Sequence, residues 1–366
     1  MDHSEGSSVM PVPPVVHACG SHHDLGQQIG EAMRSQVRHG IENVRSYFDS
    51  HAASLHLSWS QAILQAMQYM HHTLGTYPQY IDEIMGIAEG ANVSYADLVV
   101  VNTFECLVFD ALHLEKCTSI AASRQATYSG GVLVGHNEDW LTMDEPDIYI
   151  LDCHPINEPA FLAISYGGLL PNIGFNAAGI AQSCNSVNPV DVKYGIPRII
   201  VSRAILATST LQEAIRLSHV PMRAAGYNHL LAHQDGRIYN VEVSASRFEV
   251  IPATNHRLVH TNHYLTPRMQ EIEKGREQLI RSNKRFSRAL SLLEETELHT
   301  PDSFFAILSD NENYPDSICN HAMHHPLAPD PMKTIFSVVM DLSALKMFVK
   351  WGNPCSSQVI SLSLNS

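Results

Sequence analysis

The chain has 366 residues, of which 45% are hydrophobic and 16% charged, and its formal net charge is −14. This composition is typical of a globular protein, and an acidic chain without a block of Lys and Arg argues against nucleic acid as a partner. No apolar run reaches the roughly 20 residues that a membrane span needs, and the first residues lack the features of a secretion signal, so we expect a cytoplasmic protein with no membrane partner.

The first third of the chain is predicted to be helical after a short strand near residues 14–19. Apolar residues recur every three to four positions from Asp24 to about Ser50, which predicts an amphipathic helix. Two more helices are predicted at 59–74 and 77–91. Ser94 and Asp97 then have the spacing of a capping box, which indicates the start of a fourth helix.

The pattern changes from helix to strand at Cys117. Residues 117–123 and 132–140 predict two antiparallel strands joined by a Gly-containing turn at 128–131. Such a hairpin brings the amide and acidic side chains of residues 137–139 across from the sulfur of Cys117. Cys117 is therefore a candidate nucleophile, while the alternative is a small buried residue on a strand.

The rest of the chain is predicted to contain further hairpins and two blocks of helices. The predicted strands are 148–152, 160–165, 228–233, 238–243, 248–251, 257–261, 334–340 and 345–351, and the predicted helices are 198–208, 211–219, 267–294 and one after Thr300. These elements do not alternate as βαβ units, so we expect an α+β fold of sheets covered by segregated helices. No phosphate-binding loop motif is present, which disfavours a nucleotide-dependent ligase.

The cysteines and histidines are candidates for disulfide bonds or for metal binding. Seven cysteines occur singly, without a Cys-x-x-Cys pair, which argues against a disulfide framework and fits a reducing compartment. Histidines cluster at positions 22–23, at 71–72, and at His321 with His324 and His325. None of these clusters has the tight spacing of a zinc motif, so we predict no metal and no cofactor. A non-catalytic, His-rich metal-binding protein stays open as an alternative.

Six stretches from Cys117 onward match a known family in the same order. They are Cys-Thr-Ser at 117–119, Gly-His-Asn-Glu-Asp-Trp at 135–140, Gly-Phe-Asn-Ala-Ala-Gly at 174–179, Gly-Ile-Pro at 195–197, Val-His-Thr-Asn-His at 259–263, and the run 310–319. On these residues the chain resembles the acyl-coenzyme A:6-aminopenicillanic acid acyltransferase family of cysteine N-terminal nucleophile hydrolases, which includes β-alanyl-dopamine hydrolase. Spaced glycines at 20–30 extend the resemblance into the helical part.

The resemblance implies an αββα four-layer sandwich made as a precursor that cuts itself between Lys116 and Cys117. The helical segment 1–116 and the catalytic segment 117–366 would then stay associated as one structural domain. The new α-amino group of Cys117, with a reference pKa of about 7.7 to 8.0, is a suitable general base near neutral pH.

The resemblance also implies roles for other residues. Asp139 would orient the amine of Cys117, and Asn262 would donate an amide N–H to the developing oxyanion. Two roles are possible for Asn176: it contacts the oxyanion or the substrate, or it forms a turn. Tyr314 and Ser317 are candidates for the substrate pocket, whereas His136 and Glu138 are expected on the other face of their strand, away from Cys117.

The implied activity is hydrolysis or transfer of the acyl group of a small N-acyl or N-aminoacyl amine through a thioester at Cys117. Two positions depart from the family pattern: Lys116 replaces the Gly of a fungal member, and Asn320 replaces a frequent Arg. The lost Arg and the missing phosphate loop favour hydrolysis. Transfer from acyl-coenzyme A, as a second partner, stays open.

Overall fold

The structure is a computed structural model that describes residues 12–108, 116–275, 279–322 and 332–364. Its centre is two β-sheets. The strands of the first sheet are β1 (Val15–Gly20), β4 (Ile148–Pro155), β5 (Phe161–Tyr166), β6 (Ile173–Asn176), β7 (Ile180–Ser186), β8 (Tyr227–His233), β9 (Ile238–Val243) and β10 (Phe248–Pro252). Those of the second are β2 (Lys116–Ser123), β3 (Val132–Leu141), β11 (Arg257–His260), β12 (Met332–Asp341), β13 (Lys346–Trp351) and β14 (Val359–Ser363).

Helices lie before, between and after these strands. They are α1 (His22–Ala32), α2 (Arg34–Ser50), α3 (Ala52–Leu55), α4 (Trp59–Leu74), α5 (Pro78–Ala91), α6 (Tyr95–Val108), α7 (Arg198–Leu206), α8 (Leu211–Ser218), α9 (Pro267–Gln270), α10 (Leu279–Glu295) and α11 (Pro301–Leu308). Across the described ranges, none of them has the length and apolar character that crossing a bilayer requires.

The two sheets stack face to face and are each covered by helices. The first sheet has the order β1-β4-β5-β6-β7-β8-β9-β10, antiparallel apart from the β1–β4 pair, and the second has the antiparallel order β11-β2-β3-β12-β13-β14. Strands β2 and β3 pack against β7, while α7 and α8 cover the first sheet and α10 and α11 cover the second. The predicted α+β class and αββα layering are confirmed.

Two predicted helices are divided in the structure. The helix expected from Asp24 to Ser50 is two helices, because Met33 has φ −109° and ψ 30°, outside the helical range. The helix expected over 267–294 is also two, α9 and α10. Helix α9 ends at Gln270, and Gly275, between the two helices, has φ 68°, a left-handed conformation that a continuous right-handed helix excludes.

Helices α1 and α5 approach each other so closely that glycine is required at their contact. A Cβ atom on Gly26 would lie 2.0 Å from the backbone oxygen of Glu83, and one on Gly86 would lie 2.2 Å from that of His23. These distances are far below van der Waals contact. Two of the spaced glycines that marked this stretch in the sequence, Gly26 and Gly30, therefore serve helix packing.

A buried charge network joins the helical part to the strands; we refer to His22, Glu83, Glu158 and Arg203 as the Arg203 network. His22 Nδ1 lies 2.7 Å from Glu83 Oε2, and His22 Nε2 lies 3.0 Å from Glu158 Oε1. Arg203 Nε donates to Glu83 Oε1 at 3.0 Å. Burial alone would lower the pKa of His22, but its bonds to Glu158 and Glu83 outweigh burial and raise this pKa to about 9.

Candidate active site

Cys117 is the second residue of β2 and faces a cavity between the helical part and the first sheet. Its side chain is buried, with 6% of the residue exposed. Aromatic side chains make up much of the cavity wall: Tyr47, Phe104, Trp140, Tyr166 and Tyr227. A thiol at the wall of a largely apolar cavity can meet a small molecule while bulk water is kept away.

The β2–β3 hairpin places an acid and an imidazole beside the sulfur. Cys117 is paired directly with Glu138, and Cys117 Sγ lies 3.8 Å from Glu138 Oε2. His136 Nε2 lies 3.0 Å from the same carboxylate oxygen, and the hydroxyl of Tyr166 donates to its other oxygen at 3.2 Å. Because directly paired residues share a face of a sheet, the expectation that His136 and Glu138 point away from Cys117 was wrong.

The backbone of Cys117 is held from both sides by Asn262 and Arg285. The Cys117 N–H donates to Asn262 Oδ1 at 2.8 Å, and the Cys117 carbonyl oxygen accepts from Arg285 Nη1 at 2.6 Å. Arg285 Nη2 also donates to Asn262 Oδ1, at 2.8 Å. Two donors converge on Oδ1, so the amide of Asn262 can have only this orientation. Its oxygen faces the nitrogen of Cys117, and its Nδ2 donates to Ser186 O at 3.1 Å.

Arg285 was missed in the sequence, where it appeared to belong to a long polar helix. In the structure it lies on the buried stripe of α10 with Ser282, Ala289 and Leu293. The three- to four-residue spacing of that stripe was readable, and a basic residue on it was the available signal. Burial lowers the pKa of the Arg285 guanidinium, and the charges of Asp139 and Cys117 oppose this effect.

The cavity contains more acid than base. Its wall includes three carboxylates, Glu105, Glu138 and Asp144, and among the described residues around it the only basic side chain is Arg198. That guanidinium is engaged by Glu105, with Nε to Oε2 at 2.9 Å and Nη2 to Oε1 at 2.7 Å. The Tyr227 hydroxyl also donates to Glu105. A ligand in this cavity therefore meets a net negative wall.

Comparison with known families matches residues 126–356 to the family described as acyl-coenzyme A:6-aminopenicillanic acid acyl-transferase. The chain belongs to this family. The match begins after Cys117, but a longer relative covers the whole site. The acyl-coenzyme A:6-aminopenicillanic-acid-acyltransferase 40 kDa form of Emericella nidulans is 26% identical over 344 residues, which are 92% of this chain and 91% of the relative.

Two further proteins are similar to the chain. The β-alanyl-dopamine/carcinine hydrolase of Drosophila melanogaster is 27% identical over 262 residues, 64% of this chain and 65% of the relative. Penicillin V acylase from Agrobacterium tumefaciens has a similar structure, with a TM-score of 0.49, 14% identity, and coverage of 68% of this chain and 86% of that chain. The chain is an enzyme of the amide hydrolase and acyltransferase class.

Asp139, expected to orient the amine of Cys117, lies on the opposite side of β3 from Glu138. Its Oδ1 accepts from Thr334 Oγ1 at 2.5 Å, and Thr334 Oγ1 accepts from the backbone N–H of Asn320 at 2.9 Å. Asp139 thus lies one side chain away from Asn320. Its role toward the amine stays a prediction.

The structure separates the remaining candidates from Cys117. Both amide hydrogens of Asn176 donate to backbone oxygens, those of Leu206 and Thr208, and its Oδ1 accepts two backbone N–H groups. This favours its turn-forming role. Ser317 is buried and donates to Cys319 O, whereas Tyr314 is 63% exposed. Neither is among the described residues that line the cavity.

Within the described ranges, the histidine clusters noted in the sequence lie in different environments. His22 belongs to the Arg203 network, and His71 and His72 contact each other edge to face on α4. Two convergent groups of possible metal ligands occur, Cys117 with His136 and Glu138, and Cys319 with His321 and Cys355. His324 and His325 lie outside the described residues.

Proposed function

We propose that this enzyme hydrolyses a small N-acyl or N-aminoacyl amine through a thioester at Cys117. The supporting observation is that the thiol borders a cavity while both backbone groups of the same residue are fixed by Asn262 and Arg285. A nucleophile held in this way reaches a bound amide with little reorganisation, which favours rapid attack. The seven free cysteines support a reducing, cytoplasmic location.

The chain is proposed to mature by cutting the Lys116–Cys117 bond. The Cys117 sulfur would bond to the Lys116 carbonyl carbon, the thiol proton would pass to the peptide nitrogen as it leaves as an amine, and water would then hydrolyse the thioester to release the Lys116 carboxylate and restore the thiol. The new amine would occupy the position of the present N–H, 2.8 Å from Asn262 Oδ1. An oxygen acceptor there orients the amine so that its lone pair can take a proton.

Catalysis would follow the same route with a bound substrate. The sulfur attacks the substrate carbonyl, the amine takes the thiol proton and passes it to the leaving amine, and water hydrolyses the thioester. The oxyanion needs donors near the sulfur. Asn262 Nδ2 has two hydrogens, of which one donates to Ser186 O, and we assign the other to the oxyanion.

The two segments are proposed to remain together after the cut. Glu83 and His22 belong to the segment before Cys117, whereas Arg203 and Glu158 belong to the segment after it. The largest hydrophobic cluster likewise draws side chains from both segments, including Leu25 and Ile150. Separating them would expose this cluster and leave buried charges without partners, which costs several kcal/mol for each charge.

The acidic cavity supports a substrate that carries a positive charge, such as an aminoacyl amine. Transfer from acyl-coenzyme A is the alternative, and the name of the Emericella relative favours it. The phosphates of coenzyme A are bound most strongly by basic side chains. Arg198, the basic side chain on the cavity wall, is already paired with Glu105. This pairing supports hydrolysis, as the name of the Drosophila relative does.

The test is a substrate panel with and without acyl-coenzyme A. Purified enzyme would be given N-aminoacyl amines, matched uncharged N-acyl amines and anionic N-acyl amino acids, with Cys117→Ala as the inactive control. We expect hydrolysis with the highest kcat/KM for the ammonium-bearing substrates. Efficient transfer from acyl-coenzyme A with negligible hydrolysis across the panel would overturn the hydrolase assignment.

A further inference from the structure

Two cysteines and a histidine converge at the surface, outside the catalytic cavity. Cys319 is buried, His321 is half-buried and Cys355 is exposed. The two sulfurs lie 3.6 Å apart, and each lies 3.7 Å from His321 Nε2. A disulfide requires about 2.05 Å between sulfurs, so both cysteines are free thiols at this separation.

These three distances match the edges of a zinc coordination tetrahedron. Zinc binds thiolate sulfur at about 2.3 Å and imidazole nitrogen at about 2.0 to 2.1 Å, with tetrahedral angles. Such a centre separates two sulfurs by about 3.8 Å and a sulfur from a nitrogen by about 3.6 Å. The observed distances of 3.6, 3.7 and 3.7 Å agree with these values within about 0.2 Å.

We propose that Cys319, His321 and Cys355 bind Zn²⁺. Two thiolates and an imidazole are the ligand types that zinc prefers over Mg²⁺ or Ca²⁺. On binding, both thiols release their protons to solvent, and the imidazole of His321 takes the tautomer with its proton on Nδ1, which leaves the lone pair of Nε2 for the ion. Three protein ligands leave a fourth position, which a water molecule can fill.

Neighbouring amides support the site. Asn353 Nδ2 lies 3.5 Å from Cys319 Sγ and can donate to the sulfur, which stabilises a thiolate ligand. Asn311 Oδ1 lies 2.8 Å from His321 Nε2 and accepts its N–H in the metal-free site, so it holds the imidazole in place until the proton moves to Nδ1 and the ion takes its place at Nε2. The same Asn353 side chain donates to Asn320 O at 2.7 Å.

The ion would fasten two separate parts of the chain. Cys319 and His321 precede β12, whereas Cys355 follows β13. Asn320, between the first two ligands, donates from its backbone to Thr334, and Thr334 in turn donates to Asp139. The zinc site would therefore fix the segment that supports Asp139, at a distance from the sulfur that performs the chemistry. This is a structural role, and it holds for a hydrolase and for an acyltransferase alike.

The test is metal analysis of full-length protein purified without a His-tag and dialysed against zinc and then against buffer. Wild type is expected to retain stoichiometric zinc, and Cys355→Ser and His321→Ala are expected to lose it. Cys19→Ser removes another exposed cysteine and is the matched control, which should keep the metal. Cys117→Ala should also keep it, which separates this site from the cluster around Cys117.

Cobalt substitution gives a second readout that a general loss of folding cannot imitate. Wild type with Co²⁺ should show sulfur-to-cobalt charge-transfer absorption and the visible bands of tetrahedral cobalt, and Cys355→Ser should show neither while keeping the circular dichroism of the wild type. Wild type without zinc, equal zinc in wild type and His321→Ala, or an intact mass two hydrogens lower from a Cys319–Cys355 disulfide would each overturn the proposal.

Discussion

The Arg203 network and the Cys117 site are built from the same kinds of residue but treat buried charge differently. In the network, Arg203 meets Glu83 and Glu158, and these carboxylates also hold His22. At the site, Arg285 donates to three neutral oxygens, those of Cys117, Thr118 and Asn262. The pKa of Arg203 is raised, whereas that of Arg285 is lowered.

This difference distinguishes a buried charge that stabilises the fold from a buried charge that acts at the active site. Burial disfavours both guanidinium ions, but the carboxylates around Arg203 more than offset that cost. The charge of Arg285 is directed at the backbone and amide oxygens around the nucleophile, so it remains available to stabilise negative charge that forms there. A buried cation bonded to neutral groups next to a cavity is thus a marker of function.

The largest expected effect is that of Cys117→Ala, which removes the nucleophile. We expect no self-cleavage, so a denaturing gel and the intact mass should show one chain of 366 residues in place of fragments of 116 and 250 residues, and turnover should fall to background. Cys19→Ser, at an exposed cysteine, should mature normally. A mature, active wild-type preparation that remains uncut would contradict the cleavage site.

Asn262→Ala is expected to fold and to lower turnover by about two to three powers of ten, the usual loss when one oxyanion donor is removed. The variant also frees the nitrogen of Cys117 from its acceptor, so the pH profile of kcat/KM should shift as well. Steady-state kinetics on fully cleaved protein measure both effects. Near-normal turnover in a folded variant would remove Asn262 from the mechanism.

Matched Arg→Lys substitutions test the comparison itself. Arg285→Lys keeps the charge but cannot reach Cys117 O and Asn262 Oδ1 together, so we expect turnover about tenfold to a hundredfold lower, with a smaller loss of melting temperature from the unpaired buried oxygens. Arg203→Lys should do the reverse, lowering the free energy of unfolding by about 2 kcal/mol and sparing kcat. If both variants lost only stability, the distinction between the two arginines would be wrong.

The last expected effect, which concerns stability alone, is a pH dependence from His22. Its pKa is about 9 in the folded protein and about 6.5 when unfolded, so the stabilisation from its charge is full below pH 6.5 and is lost as the pH rises through 9. The melting temperature should therefore decrease as the pH is raised from 6.5 to 9. His22→Gln should flatten this part of the curve, and an unchanged slope in the variant would assign the effect to another group.

The sequence predicted what depends on local pattern and on order along the chain. The β2–β3 hairpin followed from strand periodicity and a turn, and Cys117 stood out because the pattern changed there. The predicted position of Glu138 was wrong because a shift of one residue in strand register moves a side chain to the other face of the sheet. The register is fixed by the pairing between strands. Arg285 was missed because its contact with Cys117 spans 168 residues.

The ligands of the proposed zinc site show the same limit, because one of them is far from the other two in the sequence. Cys319 and His321 are two positions apart, but Cys355 comes 34 residues after His321 and has no motif of its own. Spacing rules detect metal sites whose ligands share one turn or one loop. Here β12 and β13 carry the chain away and back, so the third ligand becomes visible only when the hairpin is formed.

At the glycine contact between α1 and α5, one added methyl group would affect the packing of the whole helical part against the strands. The 2.7 Å bond between His22 and Glu83 exists because the two helix backbones nearly touch beside it. A methyl group at Gly86 would meet the His23 backbone oxygen at 2.2 Å and act as a wedge. Opening the helices would draw Glu83 away from Arg203, so a mutation at a contact between two helices would weaken the attachment of the helical part to the sheet behind the cavity.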